Sequence, residues 1–143
     1  MASETTTMAG GCSCGAVRYN AAGAPKWASH CHCRDCRRTS GAPYVTYAGF
    51  ATSQLTWSGE APRRYASSPG VIRSYCGKCG TPLAYQGERW PDEVHILAGT
   101  LDDPGAIRPQ VHVYVGEKVP WVHLSDGLPR YRTLPRDGGP LTD

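Results

Sequence analysis

Read for its period, the chain is a run of short alternating stretches with no long helical one. Residues 15–20 alternate apolar and polar positions as a half-buried strand does, and Gly23-Ala24-Pro25 breaks the pattern. Residues 44–50, Tyr-Val-Thr-Tyr-Ala-Gly-Phe, make the strongest strand by composition, being aromatic and β-branched. Shorter strands are predicted at 54–57, 63–66, 71–75 and 83–86, each bounded by the Gly, Pro or Ser that turns require. Residues 93–99 and 110–116 are the longest late strands. Many short strands at close spacing predict an all-β fold of several short antiparallel sheets, with few or no long helices.

Composition narrows this without changing it. The 143 residues suit one domain, and with 40 % hydrophobic residues its core is modest. Seventeen Gly and twelve Pro are spread along the chain. In a helix interior they cost about 1 and about 3 kcal/mol each, which excludes long helices. No run of apolar residues is long enough to span a membrane. The opening Met-Ala-Ser-Glu-Thr-Thr-Thr-Met has neither basic flank nor apolar run, so a cytoplasmic protein is expected. Residues 1–10 are expected to be disordered, 11–129 to form the domain, and 130–143 to be an irregular tail.

Seven cysteines supply the candidate chemistry. An odd count cannot pair fully within one chain, and in a reducing compartment a disulfide framework explains them poorly. They fall as Cys12-x-Cys14, Cys31-x-Cys33-x-x-Cys36 and Cys76-x-x-Cys79. In an extended segment residues i and i+2 face the same way, so each Cys-x-Cys can offer two sulfurs to one ion. In Cys76-x-x-Cys79 a tight turn does this, eased by Gly77 and Gly80. Zinc takes four ligands in structural sites and three plus an open position in reactive ones. Keeping each cluster whole assigns Cys12, Cys14, Cys76 and Cys79 to a closed, structural zinc. Cys31, Cys33 and Cys36 then hold a second zinc with an open position, giving two Zn²⁺ per chain; iron also accepts four sulfurs. Two zinc ions on seven thiolates would bring the formal charge of +3 near neutral, so the basic balance is no signal for nucleic acid.

These motifs carry a resemblance. Gly11-Cys12-Ser13-Cys14-Gly15-Ala16-Val17-Arg18-Tyr19 resembles the opening motif of the glutathione-dependent formaldehyde-activating enzyme family, also called the centromere protein V domain family. Cys31-His32-Cys33-Arg34-Asp35-Cys36-Arg37-Arg38-Thr39-Ser40-Gly41 is similar to its second motif, and Arg73-Ser74-Tyr75-Cys76-Gly77-Lys78-Cys79-Gly80-Thr81-Pro82-Leu83 to its third. Weaker echoes follow at Gly99-Thr100-Leu101-Asp102-Asp103-Pro104, at His112, and at Trp121 with Asp126-Gly127-Leu128-Pro129. The resemblance implies a small zinc-stabilised β-tent with the same four-plus-three division of cysteines. It implies a carbon–sulfur lyase that joins a thiol to formaldehyde, glutathione in the founding case, giving S-(hydroxymethyl)glutathione or a related adduct. The alternative is a non-catalytic zinc module that binds thiols, protein or nucleic acid. Its nucleic-acid form needs a Lys/Arg-rich extension that is not seen here. The expected partner is a small-molecule thiol such as glutathione, with no membrane partner; the oligomeric state is left open.

Around the open site, Arg34, Arg37 and Arg38 can attract an anionic thiol, against the plainer reading of solvated charges that screen the thiolates. His30 and His32 flank the ligands. Alternation turns His32 away from Cys31 and Cys33, so both histidines are expected at the surface or as outer partners of the ligands. His95, His112 and His123 sit between aliphatic residues, as the polar face of a strand would place them. Trp27, Tyr44, Tyr47, Trp57 and Trp121 are expected in the core. Asp102-Asp103, followed by Pro104-Gly105, reads as a turn. No catalytic side chain beyond the metal ligands stands out.

Overall fold

The computed structural model describes residues 7–142. Within them lie β1 (Thr7–Gly11), β2 (Val17–Ala22), β3 (Trp27–Cys31), α1 (Arg34–Ser40), β4 (Val45–Ala51), β5 (Leu55–Gly59), β6 (Arg63–Ser68), β7 (Val71–Tyr75), β8 (Pro82–Gly87), β9 (Glu93–Leu97) and β10 (Val111–Val113). The strands form a three-stranded sheet, β1-β2-β5, and a seven-stranded sheet, β10-β3-β4-β9-β8-β7-β6. The all-β expectation holds, with one departure from antiparallel pairing: β10 joins β3 in parallel.

Side-chain alternation gives the seven-stranded sheet two different faces. Ala28, Ala48, Phe50, Ala84, Val94 and Ile96 point to one side and pack against Val17, Tyr19 and Ala21 of the smaller sheet. Residues of the opposite parity, Cys31, Tyr47, Tyr85 and Leu97, gather on the other side with Val113, the β10 partner of Cys31. β4 is the hinge of this arrangement. It is central, buried on both faces, and pairs with β3 and β9. The small sheet is also tied, through its middle strand, to the segment after β9. Arg18 makes a two-pronged ion pair with Asp102, at 2.9 and 2.5 Å, and the Tyr19 hydroxyl lies 2.7 Å from Thr100 Oγ1. The Asp102-Asp103 turn is as expected, and Asp102 also anchors β2.

Several expectations are corrected. Residues 7–10 are strand, not disordered: β1 pairs with β2 over its whole length, and the Asp102 N–H donates to the Ala9 carbonyl. Its Gly10 and Gly11 give no hydrophobic period, and Gly10 is used for close approach to the Tyr19 ring. Residues 1–6 of that expected segment lie outside the described residues. β3 was hidden in the Cys-rich block, and residues 34–40 are a short helix whose N-cap is Cys33. Trp121 is 67 % exposed, because it sits in an irregular loop with no sheet to cover it. Tyr44 packs edge-on against His30 and tilted against His32, outside the core, while Trp57 packs partly on it. The chain after residue 129 is irregular but packed: Leu134 is buried, the Tyr131 N–H donates to His112, and Arg136 lies over the Trp90 ring.

Trp27 lies flat across Gly49, its partner in the β3–β4 register, so a Cβ at position 49 would meet the indole. Gly49→Ala should therefore cost about 1–3 kcal/mol as an overpacking change. Urea unfolding reads this as a lower midpoint with unchanged slope; an unchanged midpoint would show that Trp27 is free to move.

Candidate metal centre

The first cluster is built from two turns on different sheets. After β1, the Gly15 N–H bonds back to Cys12, and the Val17 N–H donates to Cys12 Sγ at 3.3 Å. Between β7 and β8, the Gly80 N–H closes a turn onto Cys76, whose sulfur accepts from the N–H of Lys78 and Cys79 at 3.3 and 3.5 Å. Thr81 ties the turns together, accepting from the Ser13 N–H and touching Cys79 Sγ at 3.1 Å. That contact holds the Cys79 thiol down to about 5. Cys12 and Cys14 are 3.6 Å apart, Cys14 and Cys76 3.8 Å, and all four sulfurs lie within 4.8 Å of one another. Four thiolates about 2.3 Å from a tetrahedral zinc are separated by about 3.8 Å. The four cysteines fit such an ion with no missing ligand.

The second cluster has three sulfurs. Cys31 ends β3, Cys33 caps α1 and Cys36 lies in its first turn. Cys33 Sγ accepts the Cys36 N–H at 3.2 Å, and the sulfurs of Cys33 and Cys31 stand 2.9 and 3.5 Å from that of Cys36. All three lie within 4.8 Å of one another, so the group can also hold an ion, with one tetrahedral position left over. Behind it runs a chain of donors. Arg73 Nη1 donates to the Tyr47 hydroxyl at 3.2 Å, and that hydroxyl donates to Cys36 Sγ at 3.3 Å. Arg73 is only 7 % exposed, fixed by Ser67 Oγ at 3.0 Å and stacked over Tyr85. Hydrogen bonds with Cys31 and Cys33, helped by Tyr47 and the Arg73 charge, hold the Cys36 thiol down to about 3. The Cys31 thiol is pushed up by its bonds to Cys33 and Cys36.

This cluster forms part of the wall of a cavity of about 620 Å³. The same wall carries Arg34, Arg73 and Arg89, the rings of Trp27, Tyr85 and Trp90, and His95. Leu134 and Pro135 of the C-terminal segment complete it. Arg34 is partly offset: its guanidinium is 3.3 Å from Asp35, and its N–H donates to Glu117. The His95 ring is bonded to Glu93 at 2.9 Å and stacked on Tyr85, and its burial lowers its basicity.

Of the three arginines singled out in the sequence, Arg34 reaches the cavity. Arg37 and Arg38 lie in the last turn of α1 and are not part of its wall. His32 is fully buried, a correction to its expected surface place, because its Nε2 bonds His112 Nδ1 at 2.9 Å. His95 and His112 are buried as well. Tyr47 is buried in the second core cluster, as expected, with Trp27 packed against it, and both also line the cavity. Arg73, Arg89 and Tyr85 were not singled out at all. Tyr47, Arg73, Tyr85 and His95 share the strand parity of Cys31, but that signal is usable only once the strand order is known.

The sequence model of the "Glutathione-dependent formaldehyde-activating enzyme" family matches residues 7–117. A relative from Halomonas elongata, whose name assigns it provisionally to that activity, is 30 % identical over 127 residues, covering 82 % of this chain and 80 % of its own. A crystal structure of a Rhodobacter sphaeroides protein shares the fold, with a TM-score of 0.57 and 24 % identity over 71 % of this chain and 92 % of that one. The family match spans β1, both cysteine clusters and β10, and on that extent the chain belongs to the glutathione-dependent formaldehyde-activating enzyme family.

Proposed function

We propose that this protein is a cytoplasmic, zinc-dependent carbon–sulfur lyase-type enzyme that joins a small thiol, glutathione first, to formaldehyde. The observation that carries the reading is the three-cysteine cluster on the wall of a large cavity, backed by a buried arginine. A sealed cluster would instead have favoured a non-catalytic zinc module. Cys31, Cys33 and Cys36 would hold one zinc and Cys12, Cys14, Cys76 and Cys79 the other. When bound to the three thiolates, zinc supplies an open coordination position that takes a thiol and keeps it deprotonated.

The chain's own residues do the rest. Three thiolates and a divalent ion carry one net negative charge, and an incoming thiolate adds a second. Arg73, held through Tyr47 beside Cys36, offsets that charge inside the protein, where it is least screened. Arg34 and Arg89 stand at the same cavity and suit the carboxylates of an anionic peptide thiol. Trp27, Tyr85 and Trp90 supply apolar surface that limits water around the reacting carbon.

The reduced protein, purified without strong chelator, should retain two sulfur-bound zinc ions per chain. Elemental analysis with thiol alkylation checks this; one ion with four freely alkylated cysteines would contradict it. Cys76→Ser should damage folding far more than Cys36→Ser, because a structural zinc contributes on the order of 10 kcal/mol to folding. Soluble yield and melting temperature compare them, and equal collapse would sink the division of roles. Glutathione should bind with release of its thiol proton, while S-methylglutathione should bind poorly. Calorimetry in two buffers of different ionisation enthalpy measures both. Arg34→Ala and Arg89→Ala should each weaken binding roughly tenfold, the loss of about one charge-assisted hydrogen bond. Absence of binding by the zinc-loaded protein would favour the module reading.

A further inference from the structure

A third group of ligating side chains lies across β3 from the cavity. His30 and Cys31 are consecutive strand residues, so their side chains leave the strand in opposite directions. The parallel register of β10 sets His112 opposite His30, and the two imidazoles stack with centroids 4.6 Å apart. Asp126 closes the group, its Oδ2 2.7 Å from His112 Nε2. One donor atom each from His30, His112 and Asp126 lies within 4.8 Å of the others.

The remaining polar atoms of these residues separate the group from a chance cluster. His30 Nδ1 is bonded to Thr46 Oγ1 at 2.7 Å, and His112 Nδ1 to His32 Nε2 at 2.9 Å. Asp126 Oδ1 accepts the Leu128 N–H at 3.0 Å. Each residue thus has one polar atom held by an outer partner and keeps one more: Nε2 of His30, Nε2 of His112 and Oδ2 of Asp126. Outer hydrogen bonds of this kind orient the imidazoles and carboxylates that bind metal ions.

We propose that His30, His112 and Asp126 form a third metal site, for a divalent transition ion such as Zn²⁺. Two imidazoles and a carboxylate, with no thiolate, set it apart chemically from both cysteine clusters. An ion there displaces the hydrogen between His112 Nε2 and Asp126 Oδ2. Tetrahedral ligands stand about 3.3 Å apart, so this pair opens and the stacked rings turn around the ion. His112 adopts the neutral tautomer with its hydrogen on Nδ1, facing His32. The Asp126 side chain is 43 % exposed, so water completes the coordination and the ion exchanges more readily than one held by four thiolates. The site would link β3, β10 and the 126–130 segment, which already bonds to His112 through the Pro129 carbonyl. It does not depend on the proposed reaction.

The full chain, with its sulfur-bound metal retained after a mild chelator wash, is titrated with Zn²⁺. Calorimetry counts the added ions, and long-range ¹⁵N spectra follow the histidine ring nitrogens. One further ion per chain is expected, moving the Nε2 resonances of His30 and His112 while those of His95 and His123 stay in place. Asp126→Asn and His30→Gln should each weaken it more than about 100-fold, beyond the loss of an outer partner alone, with the retained metal unchanged. His123→Gln should bind as the parent does. No added ion at millimolar Zn²⁺, or an ion bound equally well by Asp126→Asn and His30→Gln, overturns the proposal.

Discussion

Two sheets of a modest domain are brought to one point by four sulfurs. Cys12 and Cys14 belong to the turn between β1 and β2 of the small sheet, Cys76 and Cys79 to the turn between β7 and β8 of the large one. The core between the sheets is rich in alanine, with Ala21, Ala28, Ala48, Ala84 and Ala98 among its buried members. Small side chains bury little apolar area and contribute correspondingly little. A metal ion held by these four sulfurs would therefore matter more here than in a domain with a thick core. Arg18–Asp102 and Tyr19–Thr100 act at the same junction, but the ion pair is exposed and is worth little by itself.

With one face of the large sheet given to that core, the other is free to be polar. Central strands covered on both sides normally read as continuous apolar runs. β7 and β9 instead place Arg73 and His95 on the second face, each with polar and ring partners: Ser67, Tyr47 and the Tyr85 ring for Arg73, Glu93 and aromatic neighbours for His95. Burying a guanidinium costs several kcal/mol unless charge and hydrogen bonds offset it. The thiolate-rich cluster, through Tyr47, is the charge that does so. The Arg73–Tyr47–Cys36 chain is thus stabilising and chemical at once: removing the cysteines would leave a buried cation with its neutral partners but no opposite charge behind them.

The cysteine arithmetic was legible because ligand spacing is a local property. Cys31, Cys33 and Cys36 meet within a few residues whatever the rest of the chain does, and the two other pairs each form one turn. Eight strands were legible for the same reason, from alternation and turn chemistry. β1 and β3 were not. Gly10 and Gly11 carry no hydrophobic period, and in Trp27–Cys31 the alternating face is Trp, Ser, Cys, a cavity lining that does not look like a core. The parallel pairing of β10 with β3 is a property of the whole topology, and with it went the buried places of His32 and His112. Arg73 was invisible as a site residue because a strand arginine ordinarily faces water. Only the sheet order shows that it faces Cys36.

The same alternation separates two kinds of chemistry on one strand. Cys31 faces the cavity with its sulfur partners, while His30, one residue away, faces His112 and Asp126. β3 cannot shift along its neighbours without exchanging these faces, since a one-residue slip moves every side chain to the other side. Its register is held by β4 on one side and β10 on the other, five paired residues and three. Ions held on both faces would resist such a slip in the same sense: the sulfurs gathered in the cavity and the imidazoles gathered behind it come together in one register only. The cavity geometry at Cys31 accordingly depends also on residues outside the cavity wall, and His112, with Tyr114 and Val115, carries that dependence to the C-terminal segment.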